Sequence, residues 1–157
     1  MGNYLKVPDH APTNKKFVKF FRKRKITALK TSPLVLEKLQ SVFECYEYYM
    51  KIYFPRQTLT DEEFDDVFSS LLNECSEYFK LLQDRETEMA SFLEAFVALT
   101  VFAKGDFDYK IRGIFIAFDT DESNFIDRKE LTILIQNGVY GLCKLVGLPV
   151  PHREDIT

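Results

Sequence analysis

The sequence predicts an all-α chain built from helix–loop–helix units and preceded by a basic arm. Three observations carry that reading. Apolar residues recur at helical spacing, i, i+3, i+4, i+7, in successive stretches between Leu36 and Val146. Capping boxes, a Ser, Thr or Asp followed three residues later by Glu, stand at Thr60–Glu63, Ser91–Glu94 and Asp127–Glu130. Residues 119–130, DTDESNFIDRKE, set side-chain oxygens at Asp119, Asp121, Ser123, Asp127 and Glu130, positions one, three, five, nine and twelve.

From the N-terminus, Pro8 and Pro12 mark an extended linker. Residues 15–25, KKFVKFFRKRK, interleave Phe17, Phe20 and Phe21 with seven basic residues. As a helix this segment puts the three Phe on one face, a shape suited to an acidic protein or an anionic membrane. Ser32-Pro33 is a helix start, Ser as cap and Pro at the first helical position. Leu36, Leu39, Val42, Phe43, Tyr46, Tyr49 and Met50 follow as a core stripe, which Pro55 ends. Leu59 and Phe64 flank the first capping box as a hydrophobic staple. The next stripe covers 61–82 with an interruption near Asn73; another runs from Phe92 to Ala103 and stops at Gly105-Asp106. Ile111, Ile114, Phe115 and Phe118 line a helix entering the acidic run, and Leu131, Leu134 and Ile135 one leaving it. Val139, Leu142, Cys143 and Val146 carry that helix, or a second short one, to Gly147; Pro149 and Pro151 begin an extended tail.

The chain has 157 residues, 46% of them hydrophobic, which suits one globular domain with an arm or tail. Its charge is divided: residues 1–30 carry nine Lys/Arg against one acid, and residues 31–157 twelve against twenty-three. A basic arm beside an acidic body points to an external acidic partner. No reading module for a specific nucleic acid accompanies the arm. Cys45, Cys75 and Cys143 fall on or near apolar stripes and read as buried free thiols of a reducing compartment. His10 and His152 lie in Pro-flanked terminal segments, away from any thiol, and no convergent nucleophile, base or cofactor loop argues for an enzyme. No apolar run is long enough to span a membrane, and no secretory segment opens the chain.

Acids packed as in 119–130 repel unless a cation lies between them. Calcium takes six to eight oxygens and a two-oxygen carboxylate at position twelve. The reading is one calcium site formed by Asp119, Asp121, Ser123, the Phe125 carbonyl, Asp127 and Glu130, with magnesium the alternative ion. Reading back twelve residues from Glu94 gives Gln83, Arg85 and Thr87 at positions one, three and five; from Glu63 it gives Ile52, Phe54 and Arg56. Neither loop has the ligands, so both are metal-free scaffolds. A one-residue slip in the former offers Asp84, Glu86 and Glu88 but loses the closing acid to Ala95.

These features resemble the EF-hand of the calmodulin superfamily, nearest in pattern to calcineurin B and the neuronal calcium sensors. The likeness is strongest over Phe92–Glu130 and fainter back to residue 31. Asn124 stands where the family has Gly, and tolerates the left-handed backbone required there. Met1-Gly2-Asn3 is similar to the family's myristoylated start, but Lys6 replaces the usual Ser or Thr. The resemblance implies an EF-hand pair: one degenerate hand (61–104) and one intact hand (108–137). An added helix or vestigial hand (31–63), an extra helix (138–147) and a tail (148–157) complete the chain. Hands bridge through their eighth-position residues, so Ile126 is expected to meet Ala90 or a strand of another molecule, the former being favoured. The function expected is a non-enzymatic, calcium-binding adaptor that docks proteins through an apolar groove and its basic arm. The alternative is a calcium-independent structural subunit of a large assembly, ciliary, axonemal or mitochondrial, with an acidic partner such as tubulin. Membrane association through Gly2 and residues 15–25 is less favoured, and the location expected is intracellular, cytoplasmic or cytoskeletal and ciliary, with the mitochondrion as the alternative.

Overall fold

Six helices and four two-residue strands account for the regular structure of residues 5–6 and 39–151, the part that this computed structural model describes. The readings of Gly2, of the basic segment 15–25, of the Ser32-Pro33 helix start and of residues 152–157 lie outside it.

Helix α1 (Leu39–Ile52) buries Leu39, Val42, Cys45 and Tyr49. It ends where the Tyr53 and Phe54 amides both donate to the Tyr49 carbonyl (2.8 and 3.1 Å) and Pro55, lacking an N–H, follows. After β2 (Thr58–Leu59), helix α2 (Asp61–Phe68) opens on a complete capping box. Glu63 N–H donates to Thr60 Oγ1 (3.3 Å) and Thr60 N–H to Glu63 Oε2 (2.9 Å). Leu59 and Phe64, the expected staple, are both fully buried. The long apolar stripe does break before Cys75, so α3 (Cys75–Leu82) is a separate helix. Beyond β3 (Ala90–Ser91) comes α4 (Phe92–Phe102), buried on almost every face and capped by Ser91. Helix α5 (Phe107–Phe118) takes Asp106 as its cap, and its buried Lys110 ammonium donates to the Val101 carbonyl (3.0 Å) in the last turn of α4.

The chain then passes β4 (Phe125–Ile126) into α6 (Arg128–Val146), which ends at left-handed Gly147 (φ 73°). The expected extra helix over 138–147 is not separate: α6 runs unbroken through Asn137-Gly138. Its Gly141 serves packing, and Gly138 has room for a side chain. A Cβ at Gly141 would stand 2.2 Å from the Glu94 carbonyl oxygen, and one at Gly138 would be 3.5 Å from Val97. Helices α4 and α6 therefore lie close together, the most extensive contact between helices among the described residues. Across the first two units the Tyr49 and Phe92 rings stack at 3.6 Å between centroids, and Phe92 extends the stack to Phe68 and Phe96.

The all-α class is as expected, but the pairing of units differs from the reading. Strands β2 and β3 are antiparallel partners, Leu59 opposite Ala90, so the first and second units form the pair. Residues 39–68 are thus a full unit. With Ala90 engaged by Leu59, Ile126 does not pair with it. Instead β4 pairs antiparallel with β1 (Leu5–Lys6), Ile126 opposite Leu5 and Phe125 opposite Lys6.

Candidate metal centre

Helix α5 delivers Asp119 to the start of the third loop, its amide still donating to the Phe115 carbonyl at 2.8 Å. The loop then turns twice through left-handed backbone, at Glu122 (φ 54°) and Asn124 (φ 65°). Asn124 does what the sequence asks of position six. Glu122 was not foreseen, since no sequence signal marks Glu for that conformation.

Those turns aim the loop's amides at its first carboxylate. Asp119 accepts from Ser123 N–H (3.2 Å) and Oγ (3.3 Å) on one oxygen and from Asn124 N–H (2.9 Å) on the other. Asp121 accepts from Ser123 N–H at 3.2 Å, and side-chain bonding to Ser123 holds its carboxyl below the usual range. The Ser123 hydroxyl also reaches the Phe125 carbonyl (3.0 Å). From the other end, α6 presents Glu130. One of its oxygens accepts from Thr120 N–H (3.1 Å) and Oγ1 (3.0 Å), the other from Asp127 N–H (3.0 Å). Asp127 returns the capping bond to Glu130 N–H at 2.8 Å.

The outcome is a cluster in which oxygens of Asp119, Asp121 and Glu130 lie within 4.8 Å of one another. Asp119 and Glu130 are 8% and 6% exposed, whereas Asp121 is exposed. At that separation two carboxylates repel by about 3 kcal/mol or more at an effective dielectric near 20. Amide and hydroxyl donors soften this repulsion, and a cation among the oxygens would reverse it. An all-oxygen donor set suits a hard divalent ion. Ser123 joins the cluster, the Phe125 carbonyl stands beside Ser123, and Asp127 caps α6. An ion bound here would meet Asp127 through water, as position nine commonly does.

The other two loops differ where the sequence said they would. In the second, Glu88 at position six is also left-handed (φ 57°), so the turn survives without the ligands. Asp84, the acid offered by the one-residue slip, turns its carboxylate onto the Glu86 and Thr87 amides (2.8 and 3.2 Å). Sequence reasoning missed what holds the closing acids. Glu63 pairs with the Arg56 guanidinium from within its own loop. Glu94, buried, pairs with Lys144 from α6 at 2.8 Å. Arg56 was visible seven residues from Glu63; Lys144, fifty residues from Glu94, left no local signal.

Beside the third loop runs an apolar groove of about 370 Å³. Tyr46, Met50, Phe54, Phe115 and Ile116 line it, and Asp119, Thr120, Glu122 and Asn124 form its loop side. Phe54 and Ile116 are well exposed at 57% and 62%. All three cysteines are free, Cys45 and Cys75 buried and Cys143 partly so. Burial above all pushes the Cys75 thiol up to about 12, which leaves it inert. Among the described residues no helix is long and apolar enough to cross a membrane.

Comparison with known proteins places the chain among relatives of a calcium-sensor kind only by similarity. Guanylyl cyclase-activating protein 2 of Gallus gallus is 30% identical over 122 residues, a match covering 73% of this chain. The chain spans 61% of that relative's length. No family model matches, and no solved structure gives a significant match.

Proposed function

We propose, from the premise that this is an EF-hand chain of the calmodulin superfamily similar to the neuronal calcium sensors, that it is a non-enzymatic calcium-binding adaptor with a single working hand. The observation that carries this is the convergence of Asp119, Asp121 and Glu130, two of them buried, on one point of a loop with a left-handed sixth residue. Ser123, the Phe125 carbonyl and Asp127 complete the ligand set. Glu130, and α6 with it, would be drawn toward Asp119 at the end of α5 when a divalent ion is held among these oxygens. Because Asp119 to Asn124 border the apolar groove, that movement changes the groove's shape. The groove is the surface for an apolar segment of a protein target. A relative named for activating guanylyl cyclase supports a protein target for this chain as well. The basic arm supplies a second contact, to an acidic protein surface such as that of tubulin.

The test is calorimetric titration of calcium into the chain, with an apolar-surface dye followed in parallel. Saturable heat that Asp119→Ala removes, with a dye response only in the responsive protein, is the expected result. A flat titration of a folded, helical wild type would contradict it. The reading as a calcium-independent scaffold draws support from the engaged acids Glu63 and Glu94; a flat titration would leave it standing.

A further inference from the structure

Glu94 closes the second loop at position twelve, where a working hand places its bidentate metal ligand. The residue is 8% exposed, and water does little to solvate its charge. A carboxylate buried to that degree needs a positive partner and further hydrogen bonds. Lys144 supplies the charge. Its Nζ lies 2.8 Å from Glu94 Oε2 and 3.4 Å from the carbonyl of Leu82, the residue just before the loop. The ammonium thus spans the start and the end of the second loop, the two points that a metal ion draws together in a working hand. Its position is set by the backbone: Gly141, one turn earlier, lets α6 press against the Glu94 carbonyl. The first loop shows the same substitution, with Arg56 on Glu63. Glu130, closing the third loop, instead receives the amide and hydroxyl of Thr120 and the amide of Asp127.

We propose that Lys144 is the resident counter-ion of the second hand, its tethered ammonium neutralising Glu94 in place of a metal and tying the two ends of that loop together. Helix α6 therefore closes two hands. Its first turn brings Glu130 to the third loop, and its last turn brings Lys144 to the second. Specificity follows from this arrangement. The second hand is complete without a divalent ion, and any ion the chain binds goes to the third.

The test is a double-mutant cycle on the thermal midpoint of the full chain in excess chelator. Without free calcium, the outcome does not depend on whether the third loop binds that ion. Lys144→Met keeps the length of the stem and removes the charge. It is expected to lower the midpoint by about 10 °C, because the buried Glu94 charge loses its ammonium. Lys144→Arg keeps a charge and is expected to retain most of the midpoint. Lys144→Met combined with Glu94→Gln is expected to recover more than half of the loss, because the buried charge is removed with its counter-ion. A Lys144→Met chain that melts with wild type would overturn the proposal. So would a double variant whose loss equals the sum of the two single losses, since that marks packing rather than charge.

Discussion

Glu130 joins two elements with one side chain: an oxygen receives Thr120 at the start of the loop, and the other caps α6 at Asp127. Glu130→Gln keeps the shape and removes the charge, so calcium affinity should fall on the order of a hundredfold, about 3 kcal/mol, in a calorimetric titration. Asn124 holds the left-handed turn whose amide reaches Asp119. A β-branched residue resists that backbone, so Asn124→Val should cost about 1–2 kcal/mol in urea denaturation. Away from the loop, Tyr48 and Tyr53 both donate to Asp66 Oδ2, at 2.9 and 2.6 Å. That bond raises Tyr53 to about 12 and, from the other side, lowers Asp66. The Tyr53 contribution is present below pH 10, the phenol's ordinary value, and is lost as pH rises toward 12. The Asp66 contribution is present above the ordinary carboxyl range and is lost as pH falls through its lowered value. Asp66→Asn should bring the Tyr53 titration, read by phenolate absorbance, back toward 10.

At the scale of elements, the helices were legible and the ladders were not. Stripes such as Leu39–Val42–Tyr49 and capping boxes such as Thr60–Glu63 act within a few residues, so periodicity and spacing reveal them. The acidic run 119–130 is local too, and its ligand positions could be counted directly. The pairing of Leu59 with Ala90 and of Ile126 with Leu5 joins segments far apart, with only two residues in each strand. No alternating pattern fits into two residues. Whether one helix or two lay beyond Glu130 stayed open in the sequence; the use of Gly141 in bringing α6 against α4 depends on a partner that the local sequence does not name. Gly141→Ala should therefore push the helices apart and cost about 1–3 kcal/mol by chemical denaturation. The β1–β4 ladder holds the peptide that carries the Phe125 carbonyl, so it should support the metal loop. Deleting residues 1–6 should speed hydrogen exchange at Phe125 and Ile126 and weaken calcium binding several-fold. Unchanged exchange and affinity would show that the ladder is dispensable.

At the scale of the molecule, the three helix–loop–helix units of the described residues share one apolar core but treat their closing acids differently. Glu63 and Glu94 are neutralised from within the chain by Arg56 and Lys144. Glu130 instead turns toward Asp119 and Asp121 in a cluster fit for a divalent ion. This division was half visible in the sequence: missing ligands marked two loops as inactive and Arg56 stood in its own loop, but Lys144 reaches Glu94 only through a tertiary contact. The calcium-binding adaptor proposed here therefore rests on stoichiometry. Counting calcium ions per chain by native mass spectrometry at saturating calcium tests it most directly. One ion on wild type, with Glu130→Gln needing about a hundredfold more calcium to reach it, is the expected result; no ion on wild type, or two or three, would contradict it.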